Sequence, residues 1–113
     1  LNNVSQLAGY TKRDDLKFFL WEICQISYIH IPELAPTKEL LDSYKNQKVS
    51  WDEYKKEFLP LLDSRKPEKL LEKSKLENSC FLCSEPEPDH CHRRLVVEYL
   101  MRNTDYNINI KHL

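Results

Sequence analysis

Three of the chain's four cysteines and two of its four histidines lie within residues 80–95, CFLCSEPEPDHCHRRL. Thiol, imidazole and guanidinium groups at this density are typical of a chemical site. Four interpretations are open: a zinc site, a disulfide bond, a reactive cysteine, or a buried segment followed by a polar helix start. The last needs no chemistry, because cysteines and lone histidines are common structural residues.

The zinc interpretation starts from the spacing of Cys80 and Cys83, which resembles a metal clip. If CFLC is a strand, side chains three positions apart point to opposite faces, so the two sulfurs cannot share one ion. We therefore predict no metal ligand and no cofactor, and keep zinc as the third alternative. A disulfide between Cys83 and Cys91 is geometrically allowed but is unexpected in a reducing compartment.

The reactive-cysteine interpretation places Cys83 at the carboxyl end of a predicted strand and Arg93 in the first turn of the next helix. Ligands of open α/β sheets bind beyond the carboxyl ends of the strands, and helix N-termini favour anions. An arginine can hold a phosphate or carboxylate by two parallel hydrogen bonds, and nearby cations make a thiol more nucleophilic. We predict four catalytic residues, Cys83, Glu85, Cys91 and His92, and two ligand-binding residues, Arg93 and His30.

The roles follow from the residue types. Cys83 or Cys91 is the predicted nucleophile or redox thiol, and His92 is the base. Glu85 is the acid or a positioning group, and Arg93 holds the anion. His30 ends another predicted strand, so it would reach the same sheet edge if the strands are parallel.

The elements that position these residues are predicted from periodicity, capping and proline. A capping box, Ser50 with Glu53, marks the start of the clearest helix, which Pro60 should kink or end. Since Gly9 is the only glycine, left-handed turn positions should fall to Asn or Asp, with Asn46, Asn78 and Asn103 as candidate C-caps. Helices are predicted over 12–24, from Pro36, over 50–62, after Pro67 and over 89–101 with Asp89 as N-cap, and strands over 26–31, 79–84 and 106–110.

Strands separated by helices predict an α/β layered fold with a mainly parallel sheet flanked by helices. We expect residues 1–113 to form a single domain. Three strands make a thin sheet, and the chain begins abruptly with LNNVSQ. We therefore expect N-terminal elements to be missing.

The composition of the chain limits the classes of partner that the protein is expected to bind. A hydrophobic content of 41% and a charged content of 31% fit a globular protein, and the net charge of -1 disfavours nucleic acid. No apolar run approaches a membrane span and no signal peptide is evident, so we expect a cytoplasmic protein that does not bind a membrane. The leading hypothesis is a pocket for an anionic small molecule, such as a nucleotide or nucleoside derivative. The alternative is a non-catalytic regulatory module that acts with nucleic acid or a protein partner. The composition does not determine the oligomeric state.

The stretches YIHIPELAPT, SWDEYKKEFLPLLDSR and CFLCSEPEPDHCHRRLVVEYL together resemble the family called domain of unknown function 488. The resemblance covers nearly the whole chain, and its most specific part is a Cys-x-Glu…Cys-His-Arg signature. It implies that Cys83, Glu85, Cys91, His92 and Arg93 are signature positions. Family members normally begin with a strand, a helix and a second strand, which the resemblance implies are absent here. The family name implies no reaction.

Overall fold

A computed structural model of the chain describes residues 12–83 and 89–112. The chain divides into two compact units, with the boundary between Pro32 and Glu33. The prediction of one domain over residues 1–113 stays a prediction. No helix in the described ranges is long and apolar enough to cross a membrane. The α-helices are α1 (Arg13–Cys24), α2 (Lys38–Lys45), α3 (Trp51–Arg65), α4 (Lys73–Leu76) and α5 (His92–Asn103), with short 3-10 helices at Pro32–Leu34 and Pro67–Lys69.

The predicted α/β layered fold with a mainly parallel sheet is wrong for the part of the chain that the structure describes, which contains helices and no strand. The segments 26–31, 79–83 and 106–110 run without the ladder hydrogen bonds that define a strand. Alternation of apolar residues indicates which faces are apolar, but it does not supply a neighbouring strand to pair with. Ile26 and Ile29 are 52% and 59% exposed, so the two-sided burial inferred from their pattern does not occur.

The first unit contains α1, which confirms the predicted helix to within one residue. Gln25 ends the helix in the left-handed conformation, with the paired backbone hydrogen bonds of a Schellman motif. The predicted apolar face is not buried: Leu16 and Leu20 are half-buried, and Ile23 is 75% exposed. None of residues 12–32 is buried.

The second unit begins with two capped helices. Thr37 caps α2, its side-chain oxygen accepting a hydrogen bond from the Leu40 N–H at 3.2 Å. The predicted capping box of α3 is confirmed: Ser50 Oγ accepts from the Glu53 N–H at 3.2 Å, and Glu53 Oε2 accepts from the Ser50 N–H at 2.7 Å. Helix α3 runs through Pro60 to Arg65, so the proline does not end it.

The core of the second unit forms where α3 packs against α2 and α5, and where α5 packs against the 3-10 helix at Pro67–Lys69. Aromatic rings continue the core along α3, with Tyr54 stacked on Trp51 at 5.2 Å and tilted against Phe58 at 5.7 Å between ring centroids. The buried hydrophobic side chains are Leu40, Leu41, Tyr54, Phe58, Leu62, Leu71, Cys91, Leu95, Val96, Tyr99 and Leu100. The core therefore lies directly beneath the start of α5.

The side chain of Arg65, in the last turn of α3, anchors the beginning of the second unit. Its Nη1 donates to the carbonyl oxygens of Glu33 at 3.0 Å and Ala35 at 2.6 Å. A cation here also complements the negative end of the α3 dipole. We call these two hydrogen bonds the Arg65 anchor.

Left-handed backbone conformations occur mostly at residues without a preference for them. Positive φ angles near 50–56° are found at Gln25, Gln47, Lys66 and Asn78. Asn46 is the C-cap of α2, as predicted, although it takes φ -85° and leaves the left-handed position to Gln47. Asn78 is left-handed, but Glu77 is the C-cap of α4. Asn103 is the last residue inside α5, and Thr104 caps that helix in an extended conformation.

A cysteine–histidine cluster as the candidate functional site

The site is built where the chain enters α5. Cys91 is the N-cap residue of α5, with φ -115° and ψ 134°, and the helix begins at His92. Asp89 is therefore not the N-cap that the sequence predicted; its carboxylate pairs with the Arg94 guanidinium at 3.3 Å instead. As a result, Cys91 and His92 are held at the fixed start of a helix packed on the core.

Cys83, Cys91 and His92 form a cluster in which a sulfur or nitrogen atom from each residue lies within 4.8 Å of the other two. The Sγ of Cys83 is 3.5 Å from His92 Nδ1 and 3.7 Å from His92 Nε2. Cys91 is fully buried, His92 is 8% exposed and Cys83 is half-buried. The cluster is thus reachable from solvent on the side of Cys83.

Two further side chains support the cluster. Arg93 Nε donates to Cys91 Sγ at 3.0 Å, which places a guanidinium directly beside the buried sulfur. An anionic sulfur accepts such a bond more strongly than a neutral one. Phe58, fully buried on α3, meets the His92 imidazole edge to face, with ring centroids 6.3 Å apart and planes at 89°. The ring of His92 is therefore oriented by packing as well as by its sulfur neighbour.

A cavity of about 760 Å³ adjoins the cluster. It lies between the segment 73–82, one side of α5 and the segment 106–112, and both Cys91 and Arg93 line it. Among the other lining residues, three carry a positive charge and one carries a negative charge: Lys73, Arg94 and Lys111 against Glu77. Part of the charge of Arg94 is offset by Glu98, 2.8 Å away.

Sequence reasoning did not find the cationic lining of this cavity. Lys73, Arg94 and Lys111 come from three separate segments, and each alone resembles an ordinary surface residue. His112 also lines the cavity. A charge count along the chain could not have revealed this convergence, because it depends on the path of segment 106–112.

The structure brings together four of the six predicted site residues: Cys83, Cys91, His92 and Arg93. Glu85 lies outside the described residues. His30 belongs to the first unit, where it is exposed in an extended segment. The chemical roles assigned to all six stay predictions.

The other cysteines and the neighbouring histidine are not members of the cluster. Cys24 and Cys80 are exposed. His90 is exposed and packs edge to face on Trp51, with 5.3 Å between ring centroids. The CxxC spacing that suggests a metal clip therefore contributes only its second cysteine to the cluster.

These observations define a class: a helical protein that carries a Cys–His pair and, at a helix start, a cysteine that accepts a hydrogen bond from arginine. The family model described as domain of unknown function DUF488 matches residues 1–100. The chain belongs to this family, which confirms the resemblance carried by its Cys-His-Arg stretch. No curated protein matches the chain, and no solved structure matches it.

Proposed function

We propose that the protein binds an anionic small molecule in the cavity beside the cluster. The observation that carries this proposal is the position of Arg93, which lines the cavity and donates to Cys91 Sγ at 3.0 Å. A guanidinium at that place can bind a phosphate or carboxylate while it stays connected to the cluster. Lys73 and Lys111 add positive charge around the same space.

The size and mixed lining of the cavity favour a ligand with both an anionic and an apolar part. Its volume of about 760 Å³ lies within the range of about 300–1,000 Å³ that is typical of small-molecule sites. Apolar side chains line it beside the cations, among them Phe81, Val97 and Ile108. A nucleotide or nucleoside derivative combines a phosphate with a flat, weakly polar base and therefore fits this lining.

The anion proposal is tested by titration calorimetry with pyrophosphate, AMP and ATP. We expect Arg93→Gln and Lys111→Gln to weaken binding by about tenfold to a hundredfold, the effect of losing a hydrogen bond to a charged group. Lys38→Gln is the matched control, because Lys38 is an exposed lysine on α2 that does not line the cavity. Unchanged binding in Lys111→Gln would contradict the proposal, and salt-dependent binding of RNA or DNA would favour the regulatory alternative.

If the protein is an enzyme, Cys83 is the stronger candidate for the nucleophile. Cys83 is half-buried and lies 3.5 Å from His92 Nδ1, whereas Cys91 is fully buried. The thiol proton would pass to the imidazole, and the sulfur would bond to an electrophilic carbon of the ligand as the leaving group departs with its electron pair. Arg93 would hold the anionic group of the ligand during this step.

Alkylation of the protein after treatment with a chelator tests this chemistry. We expect iodoacetamide at neutral pH to modify Cys83 faster than the exposed Cys24 and Cys80, measured by peptide mass spectrometry at short times. Cys24 and Cys80 serve as internal references in the same molecule. If Cys83 reacts no faster than these two, the nucleophile assignment is wrong, while the anion site remains to be judged by calorimetry.

A further inference from the structure

We infer that Cys83, Cys91 and His92 form a binding site for one thiophilic transition-metal ion, with zinc as the best fit. The inference goes beyond the proposed anion binding, because it rests on the three ligand atoms and not on the cavity. The three residues come from two described parts of the chain: Cys83 ends the segment 79–83, and Cys91 and His92 lie at the start of α5. The site therefore needs the folded protein.

The distances match a tetrahedral site. In such a site, Zn–S bonds of about 2.3 Å and Zn–N bonds of about 2.1 Å separate the sulfur and nitrogen ligands by roughly 3.5 Å. Cys83 Sγ and His92 Nδ1 are 3.5 Å apart, the separation expected of two ligands on one ion. Two sulfur ligands would be roughly 3.8 Å apart. Cys91 Sγ lies within 4.8 Å of the other two atoms, so a shift of roughly 1 Å or less in side-chain position completes the set.

The donor atoms select the kind of metal. Two thiolates and one imidazole suit zinc and related soft ions, whereas magnesium and calcium prefer oxygen ligands. Three protein ligands leave a fourth position for water or another ligand, as in catalytic zinc sites. Because Cys91 also lines the cavity, an anion bound there could take that position.

The surrounding side chains act as supports for the ligands. Arg93 Nε donates to Cys91 Sγ, as a second layer of hydrogen bonds does for many metal ligands. Phe58 fixes the plane of the His92 ring from the core side. These two contacts orient the Cys91 sulfur and the His92 ring, two of the three ligands.

The argument against zinc from the sequence depended on Cys80 as the partner of Cys83. The described residues contain no strand there, and Cys80 lies outside the cluster. The second thiolate comes instead from Cys91, the N-cap residue of α5. A metal ion at this site would use the sulfur electrons of Cys83, so the metal-bound protein and the nucleophilic thiol are alternative states of one cluster.

Cobalt titration of the chelator-treated, reduced full-length protein tests the metal site. We expect one equivalent of Co²⁺ to bind, with sulfur-to-cobalt charge-transfer absorption and the strong visible bands of tetrahedral cobalt, and Zn²⁺ to displace it. Cys83→Ser and Cys91→Ser should lose the charge-transfer contribution of one sulfur and weaken binding by more than about 100-fold. Cys24→Ser and Cys80→Ser are the matched controls and should bind as the unaltered protein does.

A second measurement needs no variant, which matters because Cys91 and His92 are buried and their replacement can unfold the protein. Addition of Zn²⁺ should slow the alkylation of Cys83 by about tenfold or more, because the metal occupies the thiolate, and leave Cys24 and Cys80 unchanged. An unchanged alkylation rate at Cys83, or a sulfur-to-cobalt charge-transfer band of undiminished intensity in a folded Cys83→Ser protein, would overturn the inference. Lys111→Gln separates the two proposals: it should weaken anion binding and leave the cobalt spectrum intact, so either can fail alone.

Discussion

The hydroxyl of Tyr99 on α5 is shared between two carboxylates from different parts of the second unit. It donates to Glu68 Oε2 at 3.2 Å and to Asp63 Oδ1 at 3.4 Å. Burial, followed by the negative charge and hydrogen bond of Glu68 and then those of Asp63, raises the pKa of Tyr99 to about 12. This residue thus makes the packing of α5 depend on a proton.

We expect the free energy of unfolding to fall as the pH rises from 10 to about 12. Because the folded protein binds the Tyr99 proton more tightly than the unfolded chain does, the stabilisation is complete below pH 10 and is lost as the pH passes the raised pKa. Tyr99→Phe should flatten this alkaline slope in urea titrations at several pH values. Tyr106→Phe, at a half-buried tyrosine outside α5, is the control and should keep the slope; an unchanged slope in Tyr99→Phe would contradict the assignment.

Of the residues around the site, the sequence could predict the grouping of those that are close to one another along the chain. Cys91, His92 and Arg93 are consecutive, so a helix start alone fixes their relation, and Cys83 precedes Cys91 by only eight positions in the sequence. Lys73 and Lys111 could not be predicted in the same way, because only the fold brings them to the cavity. The argument against a zinc clip made by Cys80 and Cys83 assumed strand geometry at Cys83, and the described residues contain no strand there.

Among the elements, α3 owes its defined start to the capping box. Ser50→Ala should lower the free energy of unfolding by about 1 kcal/mol, because the Glu53 N–H loses its acceptor. Urea denaturation followed by circular dichroism measures this change. Ser64→Ala is the control from the same helix, since Ser64 Oγ donates to the carbonyl oxygen of Leu61, one turn earlier at the exposed surface; equal losses in the two variants would argue against the box.

The stability of the same capping box at acidic pH depends on the charge of Glu53. Hydrogen bonds from the backbone and then from the side chain of Ser50 lower the pKa of Glu53 from its ordinary value of 4.5. The contribution to stability is therefore present above pH 4.5 and is lost as the pH falls through the lowered pKa. Glu53→Gln, which keeps an acceptor for the Ser50 N–H, should reduce this acid sensitivity in thermal unfolding; a steeper loss would contradict it.

The turn after α3 offers an opposite test, because it forces Lys66 into the left-handed region at φ 50°. Lys66→Gly should raise the free energy of unfolding by about 0.5–1 kcal/mol, since glycine adopts this conformation without a steric cost. Thermal and urea unfolding measure the gain. Lys56→Gly inside α3 is the matched control and should lose about 1 kcal/mol; a loss of similar size in Lys66→Gly would show that the turn is not strained.

The elements that local rules define were predicted, and those that need a distant partner were not. Helix α1 follows from periodicity and α3 from a capping box within four residues, and both helices are found. The three predicted strands required neighbours that no local pattern could guarantee, and the described residues show none. Pro60 in α3 shows that a local rule can also be overridden, because packing of the helix outweighs the local tendency of proline to end it.

For the molecule as a whole, the second unit holds every buried side chain found in the described residues. We expect a fragment of residues 33–113 to keep its helical circular dichroism, a cooperative urea transition and the cobalt spectrum. A fragment that begins at Thr37 is the control: it keeps the cap of α2 but loses the carbonyls of Glu33 and Ala35 that Arg65 binds, so it should unfold at a lower urea concentration. Gradual, non-cooperative unfolding of the longer fragment would show that its core needs residues of the first unit.

In the Arg65 anchor, the donor residue and the acceptor residues should differ in their tolerance of mutation. Its acceptors are main-chain carbonyls, so most substitutions at Glu33 or Ala35 leave both hydrogen bonds possible. Arg65 contributes its side chain, and no shorter or uncharged residue can reach both oxygens with the same nitrogen. Random mutagenesis with selection for folded protein should therefore retain arginine at position 65 while positions 33 and 35 drift.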